Sequence, residues 1–545
     1  MDQPAVRSEG RSELRSTPPI PPRSVVAPPS IPAVVFIVLA VLVPVVLQRP
    51  LLNSDGDLAR HLAHGRYMLE HGGLIKADPF SFTRPGAPFV GFEYGSQLLY
   101  ALAERLGGLP AVAILAGLLI ALTYALLTRF LLRRGVDPLL ACLAVGLGAA
   151  LGAGHWSARP HLFSFVAVVI LLGILEGGTR KPILGCAALF LAWANLHGGF
   201  VYGWILIGLY LTGSLGELLW SDDRTFWKAR ARYYFALLAT AMAVTLLNPH
   251  GWALHRHLFE FFGQPFLVDN TAEFISPDFH EAGGKVFLLT LLACLGPLSL
   301  FPRRPTLPRL LVICAGVAFG LIAVRNIPLF GLTVLPVVAL HVDEFWRRLP
   351  DPGGVRGRFE ATATHTASLP WALPILVLLC WLAAAGGRIG SQQIIADRFD
   401  ATIFPVAAVA KARRQQLEGR LFTDLAWGGY VVYAWPEQKI FIDGGTDFFG
   451  EDVFREYAKV RRMSPGWRDV LAKRDVSVTL LERKAALTHE LTRDPRWNLW
   501  YCDSLAVILR RSPPSAAVMA NADSAEQRLN DCAKRSSHPL RNRDQ

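Results

Sequence analysis

"IPAVVFIVLAVLVPVVLQRPLLNSDGDLARH", residues 31–61, joins an unbroken apolar run directly to two carboxylates two positions apart. The run 31–47 approaches the roughly 20 apolar residues that a bilayer-crossing helix needs. It ends in "QRP", with no small-residue cleavage site, which predicts an uncleaved first span. Asp55 and Asp57 therefore stand just past a membrane exit. Two carboxylates at that place are either turn-formers, as in an Asx-turn, or the acidic centre of a site on that face.

The composition around this stretch favours a membrane protein. Of 545 residues, 52% are hydrophobic and 18% are charged, with a mean hydropathy of +0.33, too apolar for an ordinary soluble chain of this length. The formal net charge is +12, yet Lys and Arg fall in short clusters between apolar runs, with no basic stripe interleaved with aromatics. That pattern excludes nucleic acid as the partner and points to topology. Apolar runs near 31–48, 109–131, 137–154, 161–176, 183–196, 200–219, 234–248, 286–301, 310–325, 329–341 and 369–386 predict about eleven spanning helices.

Orientation follows from where the basic residues collect. With the N-terminus cytoplasmic, the inner segments hold Arg7, Arg11, Arg15 and Arg23, then "LRRG" (132–135), "TRKP" (179–182), "DRTFWKARAR" (223–232), "PRRP" (302–305) and "FWRRLP" (345–350). The outer turns then hold "NSDGDLARH" (53–61), "GHWSARPH" (154–161), "NLHGG" (195–199), "NPHGW" (248–252), "EFISPDFH" (273–280) and "RNIP" (325–328). Helix ends need polar caps, and any one of these motifs serves as such. Together they differ from the generic Arg, Pro and Gly of the inner turns. Ionisable groups near a bilayer are costly, which makes those retained there functional candidates.

The long first outer loop, 49–108, continues through a helix-like "LARHLAHGRYMLEHG", then "DPFSFT" (78–83) and "FEYGSQLLYALAERLGGL" (92–109). The last reads as an amphipathic helix lying on the membrane surface. After the last span, from about residue 388, charge rises and apolar runs shorten to strand length. Strands are expected at 420–424, 439–444, 476–482 and 505–511, and helices at 403–417, 451–462, 466–474 and 484–493, an alternation that predicts a small α/β domain. Its acidic turn "FIDGGTDFFG" (441–450) lies at a strand end, where such sheets bind ligands, although Asp there also caps a following helix. It is neither a GxGxxG motif nor a P-loop, so no nucleotide is assigned. The predicted organisation is a disordered cytoplasmic tail (1–30), a polytopic α-helical membrane domain (31–386), an extracytoplasmic α/β domain (387–512) and a flexible tail (513–545). Of seven cysteines only Cys502 and Cys532 lie in polar sequence, where an extracytoplasmic location permits a disulfide.

These parts suit transfer from a donor anchored in lipid through a phosphate. Such a reaction needs a carboxylate that takes the acceptor's proton or holds a divalent metal, Mg or Mn, against the phosphate. It also needs cations at the membrane edge to neutralise the leaving phosphate, for which Arg has bidentate geometry. Asp55 and Asp57 meet the first need, with Glu93 a further carboxylate. Arg159 and Arg325 meet the second, with Arg66 and His61 beside them. His155, His161, His197 and His250 are placed to hydrogen-bond phosphate or sugar hydroxyls, though a histidine at a helix end also serves as a cap. No EF-hand spacing follows Asp57, which excludes a calcium loop of that type.

The plan of an acidic motif in a large first outer loop, about eleven helices and an extracytoplasmic C-terminal domain resembles the GT-C superfamily of integral-membrane glycosyltransferases. It is similar to that of protein O-mannosyltransferases, aminoarabinose transferases and oligosaccharyltransferases. The strings "DLARHLAHGRYMLEHG", "ADPFSFT", "ARPHLFSF", "WANLHGGFVYG", "LNPHGW", "SPDF", "RNIPLF", "WGGYVVY" and "FIDGGTDFFG" resemble a widespread bacterial group of GT-C-like proteins, over most of 31–511. The chain departs from that group's Asp-Pro-Asp pattern at Gly56, and from its aromatics at Ala59 and Arg60. The resemblance implies a polyprenyl-phosphate sugar donor, membrane lipid and an envelope acceptor as partners, inverting transfer, and Asp55 or Asp57 as base or metal ligand. It also implies a multi-pass protein of the bacterial inner membrane. Two other readings remain: a flippase or transporter for a polar lipid, which predicts mid-span charges and an internal repeat that the sequence does not show, and an envelope-assembly scaffold, for which eleven spans are more than an anchor requires.

Overall fold

A computed structural model describes residues 27–177, 180–300, 304–363 and 369–512. The expected tails lie outside these residues except for 27–30, as does Cys532. The described chain is mostly helical, and each apolar run expected to span falls on a helix. Among the described residues, four helices are long and apolar enough to cross a membrane: Tyr94–Arg133, Pro138–His155, Phe200–Trp220 and Val324–Arg348. Six shorter apolar helices accompany them, beginning with Ile31–Val46. The run expected at 234–248 continues a basic start in one helix, Arg224–Val244, so it is less apolar as a unit than its second half. Leu184, Leu219, Phe235, Leu289 and Val377 are exposed on helix surfaces; such apolar faces suit lipid better than water.

Tyr94–Arg133 is the central element, packed against Ile31–Val46, Asp57–His71 and His161–Leu175. Its fully buried Tyr100, Tyr124 and Leu127 lie in the main core. The surface helix expected at 92–109 and the following span form this one element, broken where Gly108 adopts φ +65°. Only glycine enters that region without steric cost, so the chain turns there from the loop into the bundle. At the predicted inner end, Glu176 accepts from Arg309 (2.7 Å) and the Tyr210 hydroxyl (2.7 Å), and Glu217 from Arg304 (3.2 Å) and the Leu307 N–H (2.7 Å). Both carboxylates are buried and satisfied, which a buried charge requires.

The C-terminal part contains a mixed four-stranded sheet in the order Arg420–Thr423, Val476–Glu482, Ala506–Arg511, Trp497–Cys502. Its first pair is parallel and the other two antiparallel. The expected strand at 439–444 makes only isolated bridges, from Ile440 to Ser81 and to Leu421, because the chain turns at once into Gly444 and Gly445. The unpredicted strand Trp497–Cys502 closes the opposite edge of the sheet, and Leu425–Ala434 is an unpredicted helix. Successive residues of a strand face opposite sides. Leu421, Val478, Leu480 and Ile508 join the core running through the helical body, while Phe422, Leu481, Val507 and Leu509 form a second core. One face of the sheet is thus apolar toward the helices, which holds the two parts together.

Candidate active site

The turn before Asp57–His71 is local chemistry first. Asp55 accepts from the Asp57 N–H (3.0 Å), so its role as a turn-former is real. Asp57 opens the helix, where the positive end of the dipole favours a carboxylate. The remaining oxygens do something a turn does not need. Arg159, from the loop before His161–Leu175, places Nη1 3.1 Å from Asp55 Oδ2 and Nη2 2.7 Å from Asp57 Oδ2, and its Nη1 also donates to Glu273. The Arg159 loop is pinned by the Ala158 N–H donating to Leu51 O (2.8 Å) and by the Tyr100 hydroxyl donating to Arg159 O (3.1 Å). Arg325 lies over the Phe274 ring, 4.4 Å from its centre, beside Glu273.

Three carboxylates around one guanidinium perturb one another. Burial pushes Asp55 up, against the opposing pull of Arg159. Burial acts the same way on Glu273, but Arg159 and Arg325 outweigh it and hold that carboxyl down at about 2. Burial would weaken the Arg159 charge, yet Asp57, Asp55 and Glu273 more than restore it.

Glu93 stands in a second group. Its carboxylate is 3.6 Å from His61 Nδ1, 3.8 Å from Arg60 Nη2 and 3.8 Å from His197 Nε2, so none of these closes to hydrogen-bonding distance. Burial pushes it up to about 7, against the pull of Arg60. His197 is oriented by its other nitrogen. Nδ1 accepts from the Gly199 N–H (3.0 Å) and from Ser164 Oγ (2.7 Å), which itself accepts from Trp193 Nε1 (2.7 Å). The ring proton is therefore on Nε2, facing Glu93. Burial, then the Arg60 charge, keep His61 well below the usual histidine range.

The C-terminal part completes the constellation. A Cβ on Gly56 would strike the Ala426 backbone, and one on Gly429 would strike Gly56 O, so the helix Leu425–Ala434 lies directly on the acidic turn. The turn "FIDGGTDFFG" follows: Gly444 rests against Asp57, and Gly445 brings Asp443 beside Arg60. Asp443, whose Oδ1 accepts from the Gly445 N–H (2.8 Å), is pushed up by burial to about 6. Asp447 accepts from His257 Nε2 (3.0 Å). Burial raises it, but this bond and the His257 and Arg60 charges win, leaving it below the usual carboxylate range.

The structure thus brings together Asp55, Asp57 and Arg159, with Arg325 reaching them through Glu273, and brings His61, Glu93 and His197 together beside them. His161 is turned aside, its Nε2 donating to His155 O (2.8 Å). The His250 ring is held at the Gly91 backbone. Arg66 is elsewhere: it pairs with Glu104 (2.7 and 2.8 Å), accepts no part in the Asp55 group, and stacks 4.2 Å above Tyr433. Sequence reasoning gave no site role to Arg60, His257, Glu273, Asp443 or Asp447. All but His257 lie inside motifs it quoted, and nothing in the pattern distinguishes them from caps and turn residues.

A divalent ion held by Asp55 and Asp57 would share their oxygens with Arg159. The Arg159 guanidinium already bridges their oxygens, and among the described residues no group of three or more His, Cys, Asp or Glu is arranged to hold one. Arg159 itself supplies positive charge at that point.

No protein-family model matches the chain, and no curated protein matches it. Solved structures do. The apo crystal structure of ArnT from Cupriavidus metallidurans is 16% identical, with a TM-score of 0.51 over 90% of this chain and 99% of that one. The apo Archaeoglobus fulgidus oligosaccharyltransferase is 13% identical, with a TM-score of 0.50 over 83% of this chain and 69% of that one. Identities this low speak to the fold alone, and on that evidence the chain has the GT-C fold of integral-membrane glycosyltransferases.

Proposed function

We propose that this protein is a membrane glycosyltransferase that takes a sugar from a polyprenyl-phosphate donor and passes it, with inversion, to an envelope acceptor on the outer face of a bacterial inner membrane. The reading includes eleven spans over 31–386, a cytoplasmic N-terminus and an extracytoplasmic α/β domain over 387–512. The observation that carries it is the Arg159 cluster. A guanidinium held by Asp55, Asp57 and Glu273 at the end of apolar helices is a preorganised cation where a lipid-borne phosphate would arrive. Fixed charge aimed at charge that develops in the transition state is the largest common source of catalysis. Arg159 meets the departing phosphate with paired N–H groups, and Asp55 and Asp57 hold it in register. Arg325 adds a second positive charge.

The test compares envelope glycans, by mass analysis, in cells lacking the gene and in the same cells complemented with the natural protein, Asp55→Asn or Asp57→Asn. The reading expects a glycan lost with the gene, restored by the natural protein and not restored by the variants at equal membrane abundance. Full restoration by both variants would remove Asp55 and Asp57 from the reaction.

A further inference from the structure

Beside the Arg159 cluster, and joined to it through Arg60, lies a small pocket between the first outer loop and the C-terminal part. Arg60, His64 and Glu93 line one side, and Asp443, Asp447 and Phe448 the other. It contains about 20 Å³ of free space, room for one or two water-sized groups.

Two side chains that line it each carry a buried polar atom with no hydrogen-bond partner behind the wall, Arg60 Nε and His64 Nδ1. Leaving such atoms unmet costs about 1–3 kcal/mol each, so this end of the pocket is short of polar partners. The Glu93 carboxylate, with every neighbour at 3.6 Å or beyond, is likewise open to a donor. By contrast Asp55 and Asp57 each give an oxygen to Arg159, and Asp55 gives another to the Asp57 N–H.

The chemistry of the wall selects the guest. Arg60 repels an ammonium group, while Glu93, Asp443 and Asp447 repel an anion. Carboxylates accept from hydroxyls, and Phe89, Phe92 and Phe448 border these polar groups with apolar rings. A neutral, hydroxyl-bearing group with an apolar face satisfies all of these.

We infer that this pocket is the acceptor subsite, that it seats the hydroxyl end of a sugar-like acceptor, and that Glu93 takes that hydroxyl's proton. The inference rests on the glycosyltransferase reading above. As the acceptor oxygen forms its bond to the anomeric carbon, its proton passes to Glu93. The bond from that carbon to the phosphate oxygen breaks, and its electron pair leaves on the polyprenyl phosphate beside Arg159. The His197 Nε2–H and Arg60 face the Glu93 carboxylate, and its proton then returns to water. A carboxyl raised to about 7 has the affinity a general base needs near neutral pH.

The experiment uses the full chain in nanodiscs and saturation-transfer NMR with two probes, methyl glycosides of common hexoses and farnesyl phosphate. The natural protein should give a glycoside signal that falls at least threefold in Asp443→Asn and in Phe448→Ala, with the farnesyl phosphate signal unchanged. Glu93→Gln should keep the glycoside signal yet fail to restore the envelope glycan, and Glu93→Asp should restore it in part. No glycoside signal from the natural protein, or an equal one in both pocket variants, overturns the subsite. A serine-containing peptide that binds where glycosides do not overturns the sugar class, and full glycan restoration by Glu93→Gln overturns the proton role. A farnesyl phosphate signal untouched by Arg159→Ala would instead count against the donor reading, leaving the pocket result to stand separately.

Discussion

Arg159 and Asp57 meet at 2.7 Å through a guanidinium nitrogen and a carboxylate oxygen, and the same guanidinium reaches Asp55, 104 residues away in the chain. Their side chains are 20% and 17% exposed, so the pair is largely, not wholly, withdrawn from solvent. Removing one member of a fully buried pair costs about 3–5 kcal/mol; with this exposure, Arg159→Ala is expected to cost roughly half that. Arg159→Lys keeps the charge and loses the fork that spans Asp55 and Asp57. Thermal unfolding in nanodiscs should rank the variants natural, Lys, Ala, and farnesyl phosphate binding should follow the same order. A lysine variant equal to the natural protein in both would show that bidentate geometry is not used.

Glu93 makes stability depend on pH in the direction opposite to a paired carboxylate. Its folded value of about 7 lies above the ordinary 4.5, so the folded state binds more protons than the unfolded state across that window, and stability falls as pH rises through it. Each unit is about 1.4 kcal/mol, which sets the cost above pH 7 at up to about 3 kcal/mol. Glu93→Gln should therefore unfold at a higher temperature than the natural protein at pH 8, with the gap closing at pH 4.5. A gap that does not change between these values would mean that Glu93 does not titrate in this window.

Arg66 belongs to a clamp. Its Nη2 and the Glu104 carboxylate both engage the Tyr433 hydroxyl, at 3.0 and 2.7 Å, which ties the first-loop helix to the C-terminal part. Tyr433→Phe keeps the stacked ring and removes these bonds, for an expected loss on the order of 1–2 kcal/mol. Farnesyl phosphate should bind the variant as it binds the natural protein; a loss of binding without a loss of stability would return Arg66 to the substrate site.

Gly56 is the contact between the acidic turn and the C-terminal part. A methyl group there meets the Ala426 backbone, which has no rotamer to give, so Gly56→Ala is expected to cost about 1–3 kcal/mol through overpacking. Amide exchange should quicken in Leu425–Ala434 before it does in the sheet. Unchanged exchange in that helix would show that the two parts meet less closely than this contact implies.

Hydropathy and charge placement made the helical body legible, because a bilayer selects helix by helix for length and apolarity, and each run carries that signal alone. The same local logic read the strands at 420–424, 476–482 and 505–511. It failed at 439–444, where an apolar run looks like a strand but its glycines turn it into the site, and at Trp497–Cys502, whose strand character comes from its partner Ala506–Arg511. The outer motifs pointed to Asp55, Asp57 and Arg159 as candidates.

By itself, then, the sequence determined the membrane class, the order of the helices and the residue types gathered at one end. Tertiary structure alone decided which of them meet: that Arg159 closes on both aspartates and Glu273, that Arg66 is diverted to Tyr433, and that Asp443 and Asp447 arrive beside Arg60 and Glu93. The physical reason is that these meetings depend on backbone approaches at Gly56, Gly429 and Gly444 and on a sheet with two apolar faces. Those are long-range packing relations, and no periodicity within a single segment records them.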